Sequence, residues 1–337
     1  LNCFETMESE GLSPDVATFV CILKACGSIG NLDKGKCIHN KIVRHLMEKD
    51  IMIGTALVDM YTKCAMLSKA QEVLDELTSR NVICWNALIS GYSDQGQCYE
   101  ALKCLEKMES DGVSPDAVTF ICILKACGIT GMLDKGKKVH DEIVRKGFMK
   151  NEDIVLGTAL VEMYVKFNML AKAEQVLDEL PVGDAMIWNV LIAGYIEQGQ
   201  SQEALDCFQR MQEEGLSPNI VSYIYILKAC GSIVSIKKGE QIHDEIVNRG
   251  LPEKENALGT ALVDMYAKCG ELEKAQYVLK HLACRNKFSW CALIAGYVQK
   301  GHGHDALNCF EEMKKEGFSP DAVTFTCILK ACGSTGS

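Results

Sequence analysis

The hexapeptide Ile-Leu-Lys-Ala-Cys-Gly decides the fold of this chain, because it returns at a nearly constant interval. Its four copies begin at Ile22, Ile123, Ile226 and Ile328. The intervals are 101, 103 and 102 residues. A second motif, Trp-(Asn/Cys)-(Ala/Val)-Leu-Ile, keeps this spacing and begins at Trp85, Trp188 and Trp290. Self-similarity at a fixed period is typical of a solenoid, in which each unit packs only on its neighbours. We therefore expect one repeat array over residues 1–337.

The composition fits a folded protein with an acidic charge balance. The 337 residues are 48% hydrophobic, and the long polar tracts that indicate disorder are absent. No apolar run approaches the roughly 18 residues that a membrane-spanning helix needs, so no membrane partner is expected. The formal net charge of −10 argues against binding of nucleic acid by bulk electrostatic attraction. A local basic stripe stays open as an alternative, since one position of the period holds Lys24, Lys125, Lys228 and Lys330.

Cysteine is abundant, but its placement predicts packing rather than cross-linking. Of the 18 cysteines, four follow Leu-Lys-Ala at one position of the period, namely Cys26, Cys127, Cys230 and Cys332. A free cysteine behaves as a small buried apolar residue. No Cys-x-x-Cys pair occurs, which removes the usual zinc and thiol-redox patterns. We expect reduced thiols, no metal site and no cofactor.

Each period divides into three helical hairpins. In residues 82–116, apolar residues at i, i+3, i+4 and i+7 from Trp85 to Tyr92 predict one helix. After a break at 95–97, a second apolar stripe from Ala101 to Met108 predicts another. No alternating strand pattern competes with these helices. The predicted fold is all-α, an α-solenoid superhelix of stacked helix-turn-helix hairpins.

The units cycle through standard (35 residues), long (35–37 residues) and short (31 residues) types. The predicted units are 16–50, 51–81, 82–116, 117–153, 154–184, 185–219, 220–255, 256–286 and 287–321, with partial units at 1–15 and 322–337. Residues 1–15 align with residues 102–116, so both natural termini are expected to lie outside this chain.

Three motifs in the standard unit resemble the pentatricopeptide repeat (PPR). They are Trp-Asn-Ala-Leu-Ile-Ser-Gly-Tyr at 85–92, Glu-Ala-Leu at 100–102, and Met-x-x-x-Gly-x-x-Pro-Asp ending at Asp116. The cycle of unit types resembles the P-L-S subclass of land plants: the long unit contains Ala-Cys…Gly-Lys-x-(Ile/Val)-His, and the short unit contains Ala-Leu-Val-(Asp/Glu)-Met-Tyr. The resemblance implies a protein that binds single-stranded RNA, with about one base recognised by each repeat.

In this family the fifth and the last residue of a unit, here called the recognition pair, address one base. The resemblance places these pairs in the short units at Thr55 and Asn81, Thr158 and Asp184, and Thr260 and Asn286. In the standard units they are Asn86 and Asp116, Asn189 and Asn219, and Cys291 and Asp321. The resemblance associates Thr/Asn with adenine, Thr/Asp with guanine, Asn/Asp with uracil, and Asn/Asn with cytosine over uracil. Cys291 departs from this pattern. The long units carry Val20 and Asp50, Ile121 and Asp153, and Ile224 and Glu255. An aliphatic side chain forms no hydrogen bond, so little base discrimination is expected there.

Two recurrent residue types invite other functions. The three tryptophans precede the fifth residue of the standard units within the apolar stripe, which favours core packing over base stacking. His39, His140 and His243 recur in the long units, and His140-Asp141-Glu142 forms half of a zinc deaminase signature. The other half, Pro-Cys-x-x-Cys, is absent, so a packing role is favoured. His302 and His304 in an interhelical loop are a weak alternative metal site.

The sequence therefore predicts a sequence-specific RNA-binding array without catalysis of its own. Family resemblance points to a plant protein of the chloroplast or mitochondrion that specifies cytidine-to-uridine RNA editing or RNA processing. It would act with editing or processing partner proteins or with a catalytic domain outside this chain. The main alternative is a protein-binding α-solenoid scaffold, which the acidic balance supports. An RNA-processing enzyme would need a nuclease or deaminase motif, which the chain lacks.

Overall fold

The computed structural model describes residues 2–45, 47, 50–150, 154–180, 184–251 and 256–335. Within these residues the chain forms twenty α-helices and one short 3-10 helix, and no strand. The predicted all-α fold of stacked helical hairpins is confirmed. The helices group into two compact units, Leu1–Val182 and Gly183–Ser337. A single array over residues 1–337 stays a prediction.

The first compact unit contains α1 Asn2–Ser9, α2 Val16–Ser28, α3 Leu32–Arg44, α4 Ile51–Lys63, α5 Leu67–Glu76, α6 Val82–Asp94, α7 Cys98–Ser110, α8 Ala117–Thr130, α9 Leu133–Arg145, the 3-10 helix Phe148–Lys150, α10 Ile154–Lys166 and α11 Leu170–Asp178. The second contains α12 Ala185–Glu197, α13 Ser201–Glu213, α14 Ile220–Ser232, α15 Ile236–Asn248, α16 Asn256–Cys269, α17 Leu272–His281, α18 Lys287–Gln299, α19 Gly303–Lys315 and α20 Ala322–Thr335.

In both compact units, the first helices of successive hairpins pack side by side. In the first unit α2, α4, α6, α8 and α10 contact one another in that order, and in the second α12, α14, α16, α18 and α20 do the same. Each second helix packs on its own partner, and most also contact the next first helix, as α7 does with α6 and α8. The first helices thus form a continuous layer within each compact unit, and this layer carries the recognition pairs.

The recurrent aromatic residues lie in the core between these helices. Trp85, Trp188 and Trp290 are 1%, 0% and 3% exposed, which confirms their packing role. The repeated cysteines Cys26, Cys127 and Cys230 are fully buried, and the described cysteines are free thiols. Burial raises the pKa of the Cys230 thiol to about 12, as expected for an uncharged packing residue.

Long and short units interlock through a glycine and a methionine. A Cβ atom added to Gly136 on α9 would collide with the Met163 sulfur of the next short unit. The same relation joins Gly35 to Met60 and Gly239 to Met265. Because these glycines lack a side chain, the methionines of the Met-Tyr motif can pack against the second helix of the preceding unit.

The recurrent histidines also join long units to short units. The Nδ1 atoms of His39, His140 and His243 each lie 2.8 Å from a tyrosine hydroxyl, on Tyr61, Tyr164 and Tyr266 respectively. Each tyrosine belongs to the Met-Tyr motif of the following short unit. The predicted packing role of these histidines is confirmed.

Because each hairpin buries its apolar side chains against its neighbours, a single hairpin should not fold. We expect the isolated peptide of residues 82–116 to show no cooperative thermal transition in circular dichroism, whereas the full chain melts cooperatively. In this peptide α4 and α8 are missing, so the α6 side chains that pack against them are exposed to water. A sharp melting transition in the isolated peptide would contradict nearest-neighbour stabilisation.

His140 should make stability depend on pH. It is 6% exposed, and burial is the main cause that lowers its pKa below the ordinary value of 6.5. As pH falls below that value, the unfolded chain takes up the proton first, so the free energy of unfolding decreases. We expect a smaller loss of melting temperature between pH 7.5 and 5.5 in His140→Gln than in wild type. An equal loss in both proteins would assign the pH dependence to other groups.

Candidate functional site

In every predicted repeat whose last residue the structure describes, that residue caps the first helix of the next repeat. Asp116 has extended backbone angles (φ −108°, ψ −177°), and its Oδ1 accepts the Thr119 backbone N–H at 2.9 Å. The same role belongs to Asp15, Asp50, Asn81, Asp184, Asn219 and Asn286. The Asp321 carboxylate also accepts a backbone N–H, from Thr324 at 2.9 Å. Helix starts favour Asp and Asn because their short side chains reach these N–H groups. The predicted last residues Asp153 and Glu255 lie outside the described residues.

Three predicted recognition pairs are joined by direct hydrogen bonds. The Asn86 amide nitrogen donates to Asp116 Oδ1 at 2.9 Å. The Asn189 amide nitrogen donates to Asn219 Oδ1 at 3.2 Å. In the third pair the direction reverses, and the Asn286 amide nitrogen donates to the Thr260 hydroxyl at 2.9 Å. The fold therefore places the fifth residue of one unit beside the cap of the next helix.

Thr55 and Asn81 are neighbours without a direct bond. The Thr55 hydroxyl donates to the Ile51 carbonyl at 2.6 Å, and the Asn81 side chain accepts the Cys84 N–H at 3.0 Å. Both line one open cavity of about 390 Å³ between α2, α4 and α6. This cavity also contains Val20, the fifth residue of the preceding long unit.

The remaining predicted residues have local partners. Cys291 Sγ lies 2.9 Å from the Thr324 hydroxyl rather than against Asp321. The Thr158 hydroxyl donates to the Ile154 carbonyl at 2.7 Å, and Asp184 caps α12. Thr158 and Asp184 belong to the first and second compact unit, respectively. In the long units the fifth residues are half-buried and aliphatic: Val20, Ile121 and Ile224.

Asp116 and Asp321 are held in the ionised state. For Asp116, burial alone would raise the pKa, but the hydrogen bonds from Thr119 and Asn86 outweigh it, so the pKa is lowered. For Asp321, hydrogen bonds from Thr324 and then from Lys287 lower the pKa. An ionised carboxylate offers only acceptors to a ligand.

Two of the three asparagines at the equivalent place, Asn219 and Asn286, offer hydrogen-bond donors instead. Asn219 Oδ1 already accepts the Ser222 N–H at 3.0 Å, the Ser222 hydroxyl at 3.2 Å and the Asn189 amide. Its own amide hydrogens have no partner in the described part of the chain. Asn286 Oδ1 accepts the Ser289 N–H at 2.9 Å, and its amide nitrogen has one hydrogen left after bonding Thr260. Asparagine therefore presents a donor where aspartate presents an acceptor.

Sequence analysis missed the second residue of the units, which is apolar and exposed. These side chains are between 47% and 69% exposed: Met52, Ile83, Val118, Val155, Met186, Val221, Phe288 and Val323. Met52 and Ile83 line the same cavity as Thr55 and Asn81. The signal in the sequence was an apolar residue recurring outside the buried stripe. Apolar side chains beside a polar pair suit a planar ligand with hydrogen-bonding groups on its edge.

Several lysines near the recognition pairs form ion pairs with acidic side chains. Lys125, one turn after Ile121 on α8, lies 2.7 Å from the Asp94 carboxylate of α6. Lys63 and Lys268 each lie 2.7 Å from an aspartate on their own helix, Asp59 and Asp264. Lys24 lines the cavity of Thr55 and has no ion pair among the described residues. Of the predicted basic stripe, only Lys125 is thus charge-balanced within the described part of the chain; Lys228 and Lys330, like Lys24, have no ion pair there.

Two further findings concern a metal-binding site and membrane-spanning helices. In the described ranges, no group of three or more His, Cys, Asp or Glu side chains is placed to hold a metal ion. His302 Nδ1 lies 3.6 Å from the Asp305 carboxylate within its own helix start. None of the helices in the described residues combines the length and apolar character of a membrane-spanning segment.

Relatives align along nearly the whole chain. A pentatricopeptide repeat-containing protein of Arabidopsis thaliana, At4g38010, is 36% identical over 334 residues, covering 99% of this chain and 59% of the relative. The chloroplastic At4g25270 is 34% identical over 98% of this chain and 62% of its own length. The mitochondrial At2g03380 is 34% identical over 100% of this chain and 48% of its own length. The chain thus spans about half the length of the curated relatives it matches.

Solved structures and family models agree with this similarity. The crystal structure of the pentatricopeptide repeat protein PPR10 from maize matches with a TM-score of 0.65 at 21% identity, over 99% of this chain and 54% of that protein. A structure of PPR10 in complex with an 18-nt psaJ RNA element matches with a TM-score of 0.65 at 17% identity, over 98% and 54%. The PPR repeat family model matches residues 80–129, 183–232 and 285–334, and the PPR repeat model matches 55–82, 118–148 and 260–286. Together they cover more than half of the sequence, and the chain belongs to the pentatricopeptide repeat family.

Proposed function

We propose that this chain binds single-stranded RNA and that each recognition pair selects one base. Membership of the family and the likeness to PPR10, which is described in complex with an RNA element, support RNA as the ligand. The observation that carries base selection is the change of hydrogen-bonding character at the last residue. Aspartate offers an acceptor there, whereas asparagine offers a donor.

This change matches the difference between uracil and cytosine. Uracil carries a hydrogen on N3, which the ionised Asp116 accepts. Cytosine has an acceptor at N3, which faces the free amide hydrogens of Asn219. Bases in single strands expose these Watson–Crick edges to side chains. The Asn86 and Asp116 pair therefore favours uracil, and the Asn189 and Asn219 pair favours cytosine over uracil.

The same rule extends to purines in the short units. Guanine carries a hydrogen on N1 and suits Asp184, whereas adenine has an acceptor there and suits Asn81 and Asn286. The fifth residue in these units is threonine, and its short side chain leaves room for the larger base. Units 16–50 through 287–321 then bind, 5′ to 3′, N-A-U-N-G-(C/U)-N-A-N, where N marks the long units and the Cys291 unit.

Apolar contacts and charge complete the interface. The exposed apolar residues at the second position pack against the faces of the bases, and every base offers such a face. Because the net charge is −10 and Lys125 is paired with Asp94, phosphate contacts contribute little. Affinity then depends on base contacts, and mismatched RNA binds weakly.

The relatives also support a biological setting. Some are chloroplastic and some mitochondrial, so we place this protein in one of these organelles. The cycle of unit types supports the P-L-S subclass and a role in selecting sites for cytidine-to-uridine editing or RNA processing. The chemistry would be supplied by a domain or partner protein outside this chain, since the array itself serves as the recognition element.

An exchange of one recognition pair provides the central test. Asn86→Thr with Asp116→Asn should move the preference at the third nucleotide from uracil to adenine, by roughly 1–3 kcal/mol as for single mismatches in specific sites. Asn and Asp cap helices about equally well, so the fold should persist. Gel shifts with all four bases at that nucleotide measure the preference. The eighth nucleotide, assigned to Thr260 and Asn286, is the internal control.

Two results would count against the proposal. If wild type binds all four bases equally and the exchange changes nothing, these residues select no base. If no RNA binds at all while a protein ligand does, the chain is the protein-binding scaffold that its acidic charge also allows.

Freeing Lys125 from its ion pair should strengthen RNA binding without changing the base preference. Asp94→Asn frees Lys125 for one phosphate, so the salt dependence should steepen by about 0.7 in the logarithmic slope and affinity should rise for any single strand. Glu106→Gln on α7 changes the net charge equally and is the matched control. Equal effects of both variants on a salt titration would show that only overall charge matters.

A further inference from the structure

Thr119 contacts both members of a recognition pair, although it belongs to neither position. It is the third residue of its unit and is 0% exposed. The single hydroxyl hydrogen is shared between Asn86 Oδ1 at 2.6 Å and Asp116 Oδ1 at 3.0 Å. The hydroxyl oxygen in turn accepts the Asp116 backbone N–H at 3.2 Å. Thr119 therefore closes a ring of hydrogen bonds with Asn86 and Asp116.

We propose that Thr119 is a positioning residue that sets how strictly Asn86 and Asp116 distinguish uracil from cytosine. This inference rests on the proposed RNA-binding function. An asparagine amide can turn over and exchange its donor and acceptor ends. The Thr119 hydroxyl holds the Asn86 oxygen inward, and the Asp116 carboxylate holds the nitrogen. The group that Asn86 presents to a base is then fixed before the base arrives.

The equivalent pair in unit 185–219 lacks this restraint. Its third residue is Ser222, whose hydroxyl donates to Asn219 Oδ1 at 3.2 Å and not to Asn189. Asn189 Oδ1 is buried and has no hydrogen-bond partner in the described residues. The Asn189 amide is thus held at its nitrogen alone. We infer weaker discrimination at the sixth nucleotide than at the third.

Threonine and serine at this position behave differently in other units too. Thr324 contacts Cys291 Sγ at 2.9 Å and Asp321 Oδ1 at 2.8 Å, so it also bridges its pair. Ser289 instead donates to the backbone carbonyl of Asn286 at 2.8 Å and makes no bond to Thr260. The β-branched threonine has a restricted χ1 angle, which aims its hydroxyl at the fifth residue of the preceding unit. Serine rotates more freely.

Two variants separate positioning from a structural role. Thr119→Val keeps the shape and the backbone N–H that bonds Asp116, but it removes the hydroxyl. Ser222→Thr adds to the second pair the side chain that bridges the first. A gain of selectivity in this second variant cannot result from partial unfolding.

The test measures dissociation constants of the full chain for RNAs with U or C at the third or sixth nucleotide. Thr119→Val should lower the U-over-C ratio at the third nucleotide by roughly threefold to tenfold, the contribution of about one hydrogen bond. In Thr119→Val the C-over-U ratio at the sixth nucleotide should stay unchanged. Ser222→Thr should raise the C-over-U ratio at the sixth nucleotide by about twofold or more on the same basis.

The outcomes distinguish this inference from the proposed function. If wild type shows no preference at the third nucleotide, base selection by the pair itself fails. If wild type discriminates and both variants keep its ratios, the positioning role is overturned, whether or not overall affinity falls. If Thr119→Val lowers the melting temperature too far for binding measurements, Ser222→Thr alone decides.

Discussion

The structure depends on the hydrogen bond by which the last residue of one unit caps the first helix of the next. This bond requires a short acceptor, so Asp or Asn occupies the position in nearly every unit. Loss of such a cap costs about 0.5–2 kcal/mol. Because Asp and Asn cap about equally, one can replace the other without loss of helix stability. The proposed base preference can therefore change while the fold stays the same.

Much of this arrangement could be predicted from sequence, because it follows from periodicity. The stripe from Trp85 to Tyr92 predicted α6, and the stripe from Ala101 to Met108 predicted α7. Family resemblance then identified Asn86 and Asp116, which the fold joins at 2.9 Å. These features depend on residues whose spacing within a unit is fixed.

The rest could not be predicted, because it depends on the register between units. The contact of Thr119 with Asn86 joins residues 33 positions apart and requires a particular rotamer. The Lys125 and Asp94 pair joins α6 and α8, which a helical pattern alone does not align. The exposed second residues, such as Ile83, recur in the sequence, but an apolar side chain without a hydrogen-bonding group does not indicate a binding site. Thr158 and Asp184 fall in different compact units, so their pairing stays a prediction.

The interlock between Gly136 and Met163 bears on how such arrays can be rebuilt. The same fit recurs at each long-to-short junction, whereas standard units carry Ala101 or Ala204 at the place of that glycine. An extra methyl group there would crowd the methionine of the following unit, whose flexible side chain would have to shift. Repeats of different types are therefore not freely exchangeable at these junctions. A designer who lengthens the array keeps the fit by inserting long and short units together, in that order.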